Sequence, residues 1–471
     1  MSVVPAEPEA AWRMVRLTEA VEISPKPDRT GLTDTTPVSF VPMAAVGAGN
    51  GQIDTSTTRL YVEVKKGYTH FRDGDVLFAK ITPCMENGKM AIAHGLRNGV
   101  GLGSTEFHVL RPRAGVDSRY VYHFVSGAKY RNEAAHHMTG AVGQKRVPVS
   151  FLEHSEIPLP SLHEQRRIVA EIEKQFSRLD QAVASLQRVK AQLKRYKASV
   201  LKAAVEGRLV ETEAQRTRRD GRGLETGTEL AAQGSANAAG DRKPGAALPY
   251  ETGEQLLKRI LDTRRSQWKG KGKYKEPAAP DASGLPELPE GWVWASGAQL
   301  FAWSSGVNLP VKQLEGGDFP VYGGNGVNGW HTHANVIQPT LVIGRVGAGC
   351  GNVNVLDREA WVTDNAIYAT WVPQECSLSY LGMVFTTANL NSVAAGSGQP
   401  FVNQTILNEV AAAVPPLVEQ HRIVAEVDRR LSIVREVEAE VDANLKRAQA
   451  LRQAVLARAF GNPHQDLPSV I

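Results

Sequence analysis

Two stretches of the chain carry apolar residues at steps of four and three, with no glycine or proline between them: residues 161–206 and 417–460. In the first the apolar positions are Ile168, Ile172, Phe176, Leu179, Val183, Leu186, Val189, Leu193, Tyr196 and Val200. In the second they are Ile423, Val427, Leu431, Val434, Val441, Leu445, Ala448 and Val455, with Val437 slightly out of phase. A narrow heptad seam of this kind predicts a long helix that pairs with another helix. Ser161 and Glu164 have the spacing of a capping box at the first start. Pro415-Pro416 suits the first turn of the second helix. Gly207 and Gly461 stand where each helix should stop. At 1.5 Å per residue each helix is about 65 Å long. A lone helix cannot bury such a seam. The nearest partner is the other copy, which two-fold-related halves would bring alongside antiparallel; the alternatives are each helix's own domain or another protein. The expected pairing residues are Ile168, Ile172, Phe176 and Leu179 with Ile423, Val427, Leu431 and Val434.

The two helices open on one motif. PSLHEQRRIVAEIEKQF surrounds Glu164 and PPLVEQHRIVAEVDRRL surrounds Glu419, a shift of 255 residues. The same shift pairs Gly143-Gln144 with Gly398-Gln399, Val147 with Val402, Leu152 with Leu407, and Val200-Leu201 with Val455-Leu456. A register held that long marks an internal repeat.

Shorter alternations and apolar runs lie ahead of each helix. In the first half they predict strands at 38–41, 59–64, 75–81, 90–94 and 106–111, then a helix at 120–126. In the second half the strands are 319–322, 340–346, 351–355 and 366–371, then a helix at 380–387. The order agrees between halves: VLFAKIT reaches Lys80 where LVIGRVG reaches Arg345, and Ser104-Thr105-Glu106 parallels Thr363-Asp364-Asn365. The expected fold is α+β, with two strand-rich domains alternating with two long helices that pair as an antiparallel coiled coil. The expected division is 1–158, first strand-rich domain; 159–207, first helix; 208–285, flexible linker with a short helix at 254–268; 286–414, second strand-rich domain; 415–461, second helix; and 462–471, tail. The linker reading rests on a Gly-, Ala- and charge-rich composition over 208–250. Residues 269–280 form a basic, then Pro/Ala-rich connector.

Composition fits this plan. A chain of 471 residues is too long for one core, and 42% hydrophobic with 22% charged residues is ordinary for a soluble protein. A net charge of +5 tilts toward a polyanionic partner, although a charge that small also fits none. The three cysteines, Cys84, Cys350 and Cys376, form no CxxC pair, so neither a disulfide framework nor a zinc site is expected. No apolar run approaches the roughly 18 residues of a membrane span, and the first residues lack an export pattern. The cytoplasm is the expected location and no membrane is an expected partner.

No motif supplies catalysis. A Walker loop is missing from the sequence. The run Gly344-Arg345-Val346-Gly347-Ala348-Gly349-Cys350-Gly351 follows a strand without opening a helix; it reads either as a tight strand-to-strand loop or as a loop bringing Arg345 to phosphate. His136-His137 and His331-x-His333 lack supporting ligands and read as surface histidines. Asp54, Glu63 and Lys65 loosely resemble the carboxylate–carboxylate–lysine set of metal-dependent nucleases, with no counterpart in the second half. Neither a catalytic nor a metal site is expected. Duplicated modules on helices of fixed length, without catalytic motifs, describe a ruler with a reader at each end. Half-sites on one face of B-DNA lie ~34 Å or a multiple apart, within reach of such a ruler. Unlike readers suit an asymmetric, split sequence.

The chain resembles the specificity subunit of type I restriction–modification systems. The residues that carry the likeness are IPLPSLHEQRRIVAEIE, VPPLVEQHRIVAEVD, Gly74 to Pro83, Leu288 to Trp292 and Val321 to Gly326. The resemblance implies two target-recognition domains on an antiparallel coiled coil. It implies double-stranded DNA, two methyltransferase subunits and restriction subunits as partners. S-adenosylmethionine, ATP and Mg are implied for those partners and no cofactor for this chain, which lacks NPPF/DPPY-type motifs. The departures are the long linker and Val414 in place of a proline. In the family, recognition uses loops beside the strands that match VLFAKITP and LVIGRVGAG. The candidate DNA contacts are therefore Lys80, Thr82, Asn87 and Lys89 in the first domain and Asn325, Arg345 and Asn352 in the second. Arg and Lys can take guanine edges or phosphate, and Asn can pair with adenine. Gln144 and Gln399 either reach a groove or anchor their loops. The competing readings are a nuclease acting alone through Asp54, Glu63 and Lys65, and a coiled-coil scaffold without a DNA role.

Overall fold

The computed structural model describes residues 12–141, 143–228, 250–270, 272–314, 316–392 and 400–461. The chain divides into two compact units. Unit 1 takes residues up to Arg188 and from Val441 onward; unit 2 takes Val189–Glu440. Both long helices, Leu162–Val205 and Leu417–Gly461, cross this division, so each unit holds part of each helix.

The described residues of unit 1 contain ten strands: β1 Arg13–Arg16, β2 Val21–Ile23, β3 Pro37–Val41, β4 Thr58–Leu60, β5 Thr69–Arg72, β6 Val76–Ala79, β7 Met90–Ile92, β8 Val100–Gly103, β9 Phe107–Pro112 and β10 Glu156–Leu159. They form the sheets β2-β9-β6-β7 and β4-β3-β8-β5 and the antiparallel pair β1-β10. Every residue of β6 is buried, which is why VLFA is a continuous apolar run rather than an alternation. Helix α1 (Ser118–Ser126) starts on Asp117, whose carboxylate accepts the Arg119 amide. The segment expected as one strand over 59–64 splits. Strand β4 ends at Leu60 and one helical turn, Tyr61–Val64, follows, because it buries Tyr61 and Val64 on one side.

Unit 2 repeats the plan with β11 Val293–Ser296, β12 Ala302–Ser305, β13 Phe319–Gly323, β14 Gly326–His331, β15 Thr340–Gly344, β16 Val353–Leu356, β17 Trp361–Val362, β18 Ala366–Trp371 and β19 Ala411–Val414. The sheets are β12-β18-β15-β16 and β14-β13-β17, with β11-β19 as the antiparallel pair. The stretch expected as a flexible linker opens with a helix instead, α2 (Glu213–Thr228). Thr212 and Ala214 at its start are buried, and the Glu213 amide donates to the buried Glu419 carboxylate at 3.1 Å. Local composition gave no hint of this anchoring. Helix α3 (Gly253–Ser266) buries Leu256, Leu257 and Ile260 in the unit 2 core, so it belongs to the domain rather than to a linker. Helix α4 (Leu378–Thr387) matches α1 in place.

The helix seam is buried twice over. In unit 1, Ile168, Ile172 and Phe176 share one core cluster with Leu456 and Ala459 of the second long helix and with Tyr120, Val121 and Ile157 of the strand-rich part. The Arg452 guanidinium lies 4.0 Å from the Phe176 ring centroid and pairs with Asp180 at 2.7 Å. In unit 2, Ile423 and Val427 share a cluster with Val200 and Ala204 of the first long helix, Leu431 packs against it, and Lys197 pairs with Glu438 at 2.5 Å. Leu179 is half-buried beside the unit 1 cluster, and Val434 is buried. The start of one helix meets the end of the other in each unit, so the two run antiparallel. The seam contacts its own domain and the other helix at once.

Candidate nucleic-acid interface

The motif that opens each helix is a joint. Gln165 accepts the Asp117 amide at 2.9 Å and donates to the Pro160 carbonyl at 2.9 Å. Gln420 accepts the Ser377 amide at 2.9 Å and donates to the Pro415 carbonyl at 3.0 Å. Both glutamines are buried. Each therefore holds the N-terminus of α1 or α4 against the start of a long helix. The next link is also repeated: Tyr120 donates to the Pro158 carbonyl at 2.6 Å and Tyr380 to the Ala413 carbonyl at 3.0 Å. Sequence reasoning assigned no role to these four residues. The signal was present, since Gln165 and Gln420 stand 255 residues apart within the repeat.

From this joint the sheets carry the candidate residues to a common place in each unit. Lys80 directly follows β6; its amide donates to the Glu106 carbonyl at 2.9 Å, and its carbonyl accepts the Val147 amide at 2.8 Å. Arg345 directly follows β15; its amide donates to the Asn365 carbonyl at 2.9 Å, and its carbonyl accepts the Val402 amide at 2.9 Å. The backbone wiring is the same residue for residue. The side chains it presents are not: Lys80 stands beside Glu106, and Arg345 beside an exposed Asn365. Two further polar groups thus join the site. The Glu106 carboxylate is gripped by Arg146, Nη2 to Oε1 at 2.8 Å and Nε to Oε2 at 2.9 Å, and this guanidinium holds its pKa below the usual carboxylate range.

The other first-domain candidates gather around the same strand end. Thr82 donates both amide and hydroxyl to the Lys145 carbonyl, at 3.0 and 3.1 Å, which ties the loop after β6 to the 143–147 segment. Gln144 is exposed in that segment, and its carbonyl takes Arg146 Nη1 at 3.0 Å. Asn87 is exposed at a turn. Lys89 is half-buried, and its ammonium donates to the Met43 carbonyl at 3.0 Å, so one of its three protons braces the neighbouring loop.

In unit 2 the glycines explain the gathering. A Cβ at Gly344 would lie 2.0 Å from the Gly349 carbonyl oxygen, and one at Gly349 would lie 2.0 Å from the Gly324 oxygen. Only glycine lets the β13–β14 turn press against the 344–351 loop. Exposed Asn325 and Asn352 are thereby brought to the loop that carries half-buried Arg345. Gln399 lies outside the described residues.

The enzymatic alternative does not assemble. Lys65 pairs with Asp34 at 2.7 Å, and Asp54 accepts the Ser56 hydroxyl at 2.6 Å. Among the described residues no three His, Cys, Asp or Glu side chains group as a metal site. His136 and His137 are exposed, but His331 is not a surface histidine: it is buried with its ring 5.1 Å from Trp361, because β14 turns it beneath that indole. No helix among the described residues is long and apolar enough to cross a membrane.

A family model described as the type I restriction modification DNA specificity domain matches residues 9–195 and 305–443. The type I restriction enzyme EcoAI specificity subunit of Escherichia coli is 34% identical over 316 residues, covering 64% of this chain and 53% of that protein. The EcoEI specificity subunit of Escherichia coli is 42% identical over 178 residues, covering 38% of this chain and 30% of that protein. The match thus spans about half the length of the EcoAI relative and less of the EcoEI one. A solved chain from a study of complex assembly and conformational transition of the type I R-M system shares the fold at a TM-score of 0.62, with 19% identity over 97% of this chain and 99% of that one.

Proposed function

Because the chain belongs to the type I restriction–modification DNA specificity family, we propose that it is the sequence-reading and scaffold subunit of such a complex, without chemistry of its own. Each strand-rich domain reads one half of a bipartite, asymmetric site in double-stranded DNA. Lys80, Thr82, Asn87, Lys89 and Gln144 form one reading surface. Asn325, Arg345, Asn352 and Gln399 form the other, which Asn365 extends. The observation that carries this reading is the pair of identical backbone frames around Lys80 and Arg345, fitted with different side chains. A shared frame with unlike polar groups is what two readers of different sequences require.

The long helices, of 44 and 45 residues, set the spacing between half-sites and dock two methyltransferase subunits, with restriction subunits joining the complex. Tyr196, Ile433 and Val437 are exposed on the helices of unit 2 and offer apolar surface for such docking. S-adenosylmethionine, ATP and Mg serve the partner subunits. The complex works in the cytoplasm. Sequencing methylated bases in cells that express the chain with its methyltransferase partner tests the proposal. A split motif with unlike halves is expected; a single palindrome, or no dependence on this chain, refutes it.

A further inference from the structure

The function above leaves the connector 267–278 unused. Its described residues, 267–270 and 272–278, are tethered at both ends. The Trp371 indole donates to Gln267 Oε1 at 2.9 Å at one end, and Ser296 donates to the Ala278 carbonyl at 2.6 Å at the other. Arg265 pairs with Glu276 between them. Trp268 packs edge-on against Tyr274 at 5.6 Å and covers Gly270. Lys269, Lys273 and Lys275 project from this loop, all exposed.

These lysines differ from the cations around them. Lys258 pairs with Asp262, Arg259 with Glu251, and Arg264 lies over the Trp371 ring at 5.0 Å. Among the described residues Lys269, Lys273 and Lys275 have no ion-pair partner. Three unmatched charges on a tethered loop form a site for a polyanion. The loop is also remote from the reading residues of its own domain. Asn365 stands just before β18 and Trp371 closes it, so the six residues of that strand separate the two places by roughly 20 Å. Lysine ammoniums suit phosphate and carry no base readout.

We propose that the exposed Lys269, Lys273 and Lys275 form a second, sequence-independent DNA contact, in which they neutralise backbone phosphates of the duplex flanking the half-site read by unit 2. It rests on the DNA-reading function above. The test compares the full chain with its Lys269→Gln/Lys273→Gln/Lys275→Gln variant, bound to random-sequence duplex between about 50 and 200 mM salt. At ~0.9 per phosphate contact, the slope of log affinity against log salt should become shallower by about 2 to 3 units. The triple Lys→Arg variant should restore it, and unfolding curves of all three chains should coincide. An unchanged slope with DNA binding intact overturns the proposal alone. Failure of the unaltered chain to bind duplex at all overturns the reading function with it. Loss of methyltransferase co-purification in the Gln variant, with the slope unchanged, makes the loop a protein-docking site and also overturns the proposal.

Discussion

Replacing Gln420 should destabilise unit 2 through a residue that is not itself a candidate DNA contact. Its side chain is fully buried and satisfies two backbone groups, the Ser377 amide and the Pro415 carbonyl. Gln420→Ala strands both. Each unsatisfied buried group costs about 1–3 kcal/mol, so the expected loss is about 2–6 kcal/mol, against roughly 0.5 kcal/mol for an ordinary surface change. Gln420→Met keeps the volume and removes only the hydrogen bonds, which isolates the joint from simple packing loss. Urea unfolding followed by tryptophan fluorescence is the assay. Of the 8 tryptophans only Trp12 belongs to unit 1, so the signal reports unit 2. A Met variant that unfolds within about 0.5 kcal/mol of the unaltered chain would show that the hydrogen bonds of the joint contribute nothing to stability.

Three further predictions concern recognition and pH. Arg345→Ala should alter one half of the methylated motif and leave the other unchanged; a change in both halves, or in neither, refutes the assignment of one reader to each domain. Inserting about four residues, roughly one turn, into one long helix should change the spacing between half-sites, and a spacing that stays fixed refutes the ruler. Burial, with Arg452 and Arg119 adding to it, lowers the His123 pKa from 6.5 to about 4. Below pH 6.5 the unfolded chain gains a proton that the folded chain refuses, so stability should fall as pH drops from 6.5 to about 4, by up to about 3 kcal/mol. Denaturation followed by circular dichroism across that range should show the slope, and His123→Phe should flatten it.

The long helices were the most legible part of the sequence because a heptad seam is a local property. Their ends, at Leu162 and Leu417, follow from caps and prolines close by. Strands β6 and β15 were legible as unbroken apolar runs. What escaped was set by distant partners. Residues 61–64 carry β-branched and aromatic residues that suit a strand, yet form a helical turn around buried Tyr61 and Val64. Residues 213–228 look like linker by composition, but their start is pinned by Glu419, whose carboxylate accepts the Glu213 amide and also the Trp292 indole N–H at 3.0 Å. The equivalent Glu164 instead pairs with Arg167 at 2.7 Å, while Ser161 caps the Glu164 amide at 3.3 Å. One motif therefore serves two surroundings, and burial raises the Glu419 pKa where Arg167 lowers that of Glu164. At the candidate site the strand ends were legible, and the neighbours Glu106 and Asn365 were aligned by the repeat. The glycine contacts that bring Asn325 to Arg345 lie between segments far apart in sequence, and no local pattern encodes them.

Unit 1 is closed by residues from the far end of the chain. Phe460 packs on Tyr120 and Phe124, and Gln453 accepts the Ala128 amide across 325 positions of sequence. A ribosome adds about 5–20 residues per second, so the first domain waits roughly 15–60 s for its last helix. During that interval Ile168, Ile172 and Phe176 lack the helix segment that completes their cover. A message truncated before Val441 yields a first domain that is translated in full but never sealed. Synthesis of the second long helix is thus built into the packing of the part made first.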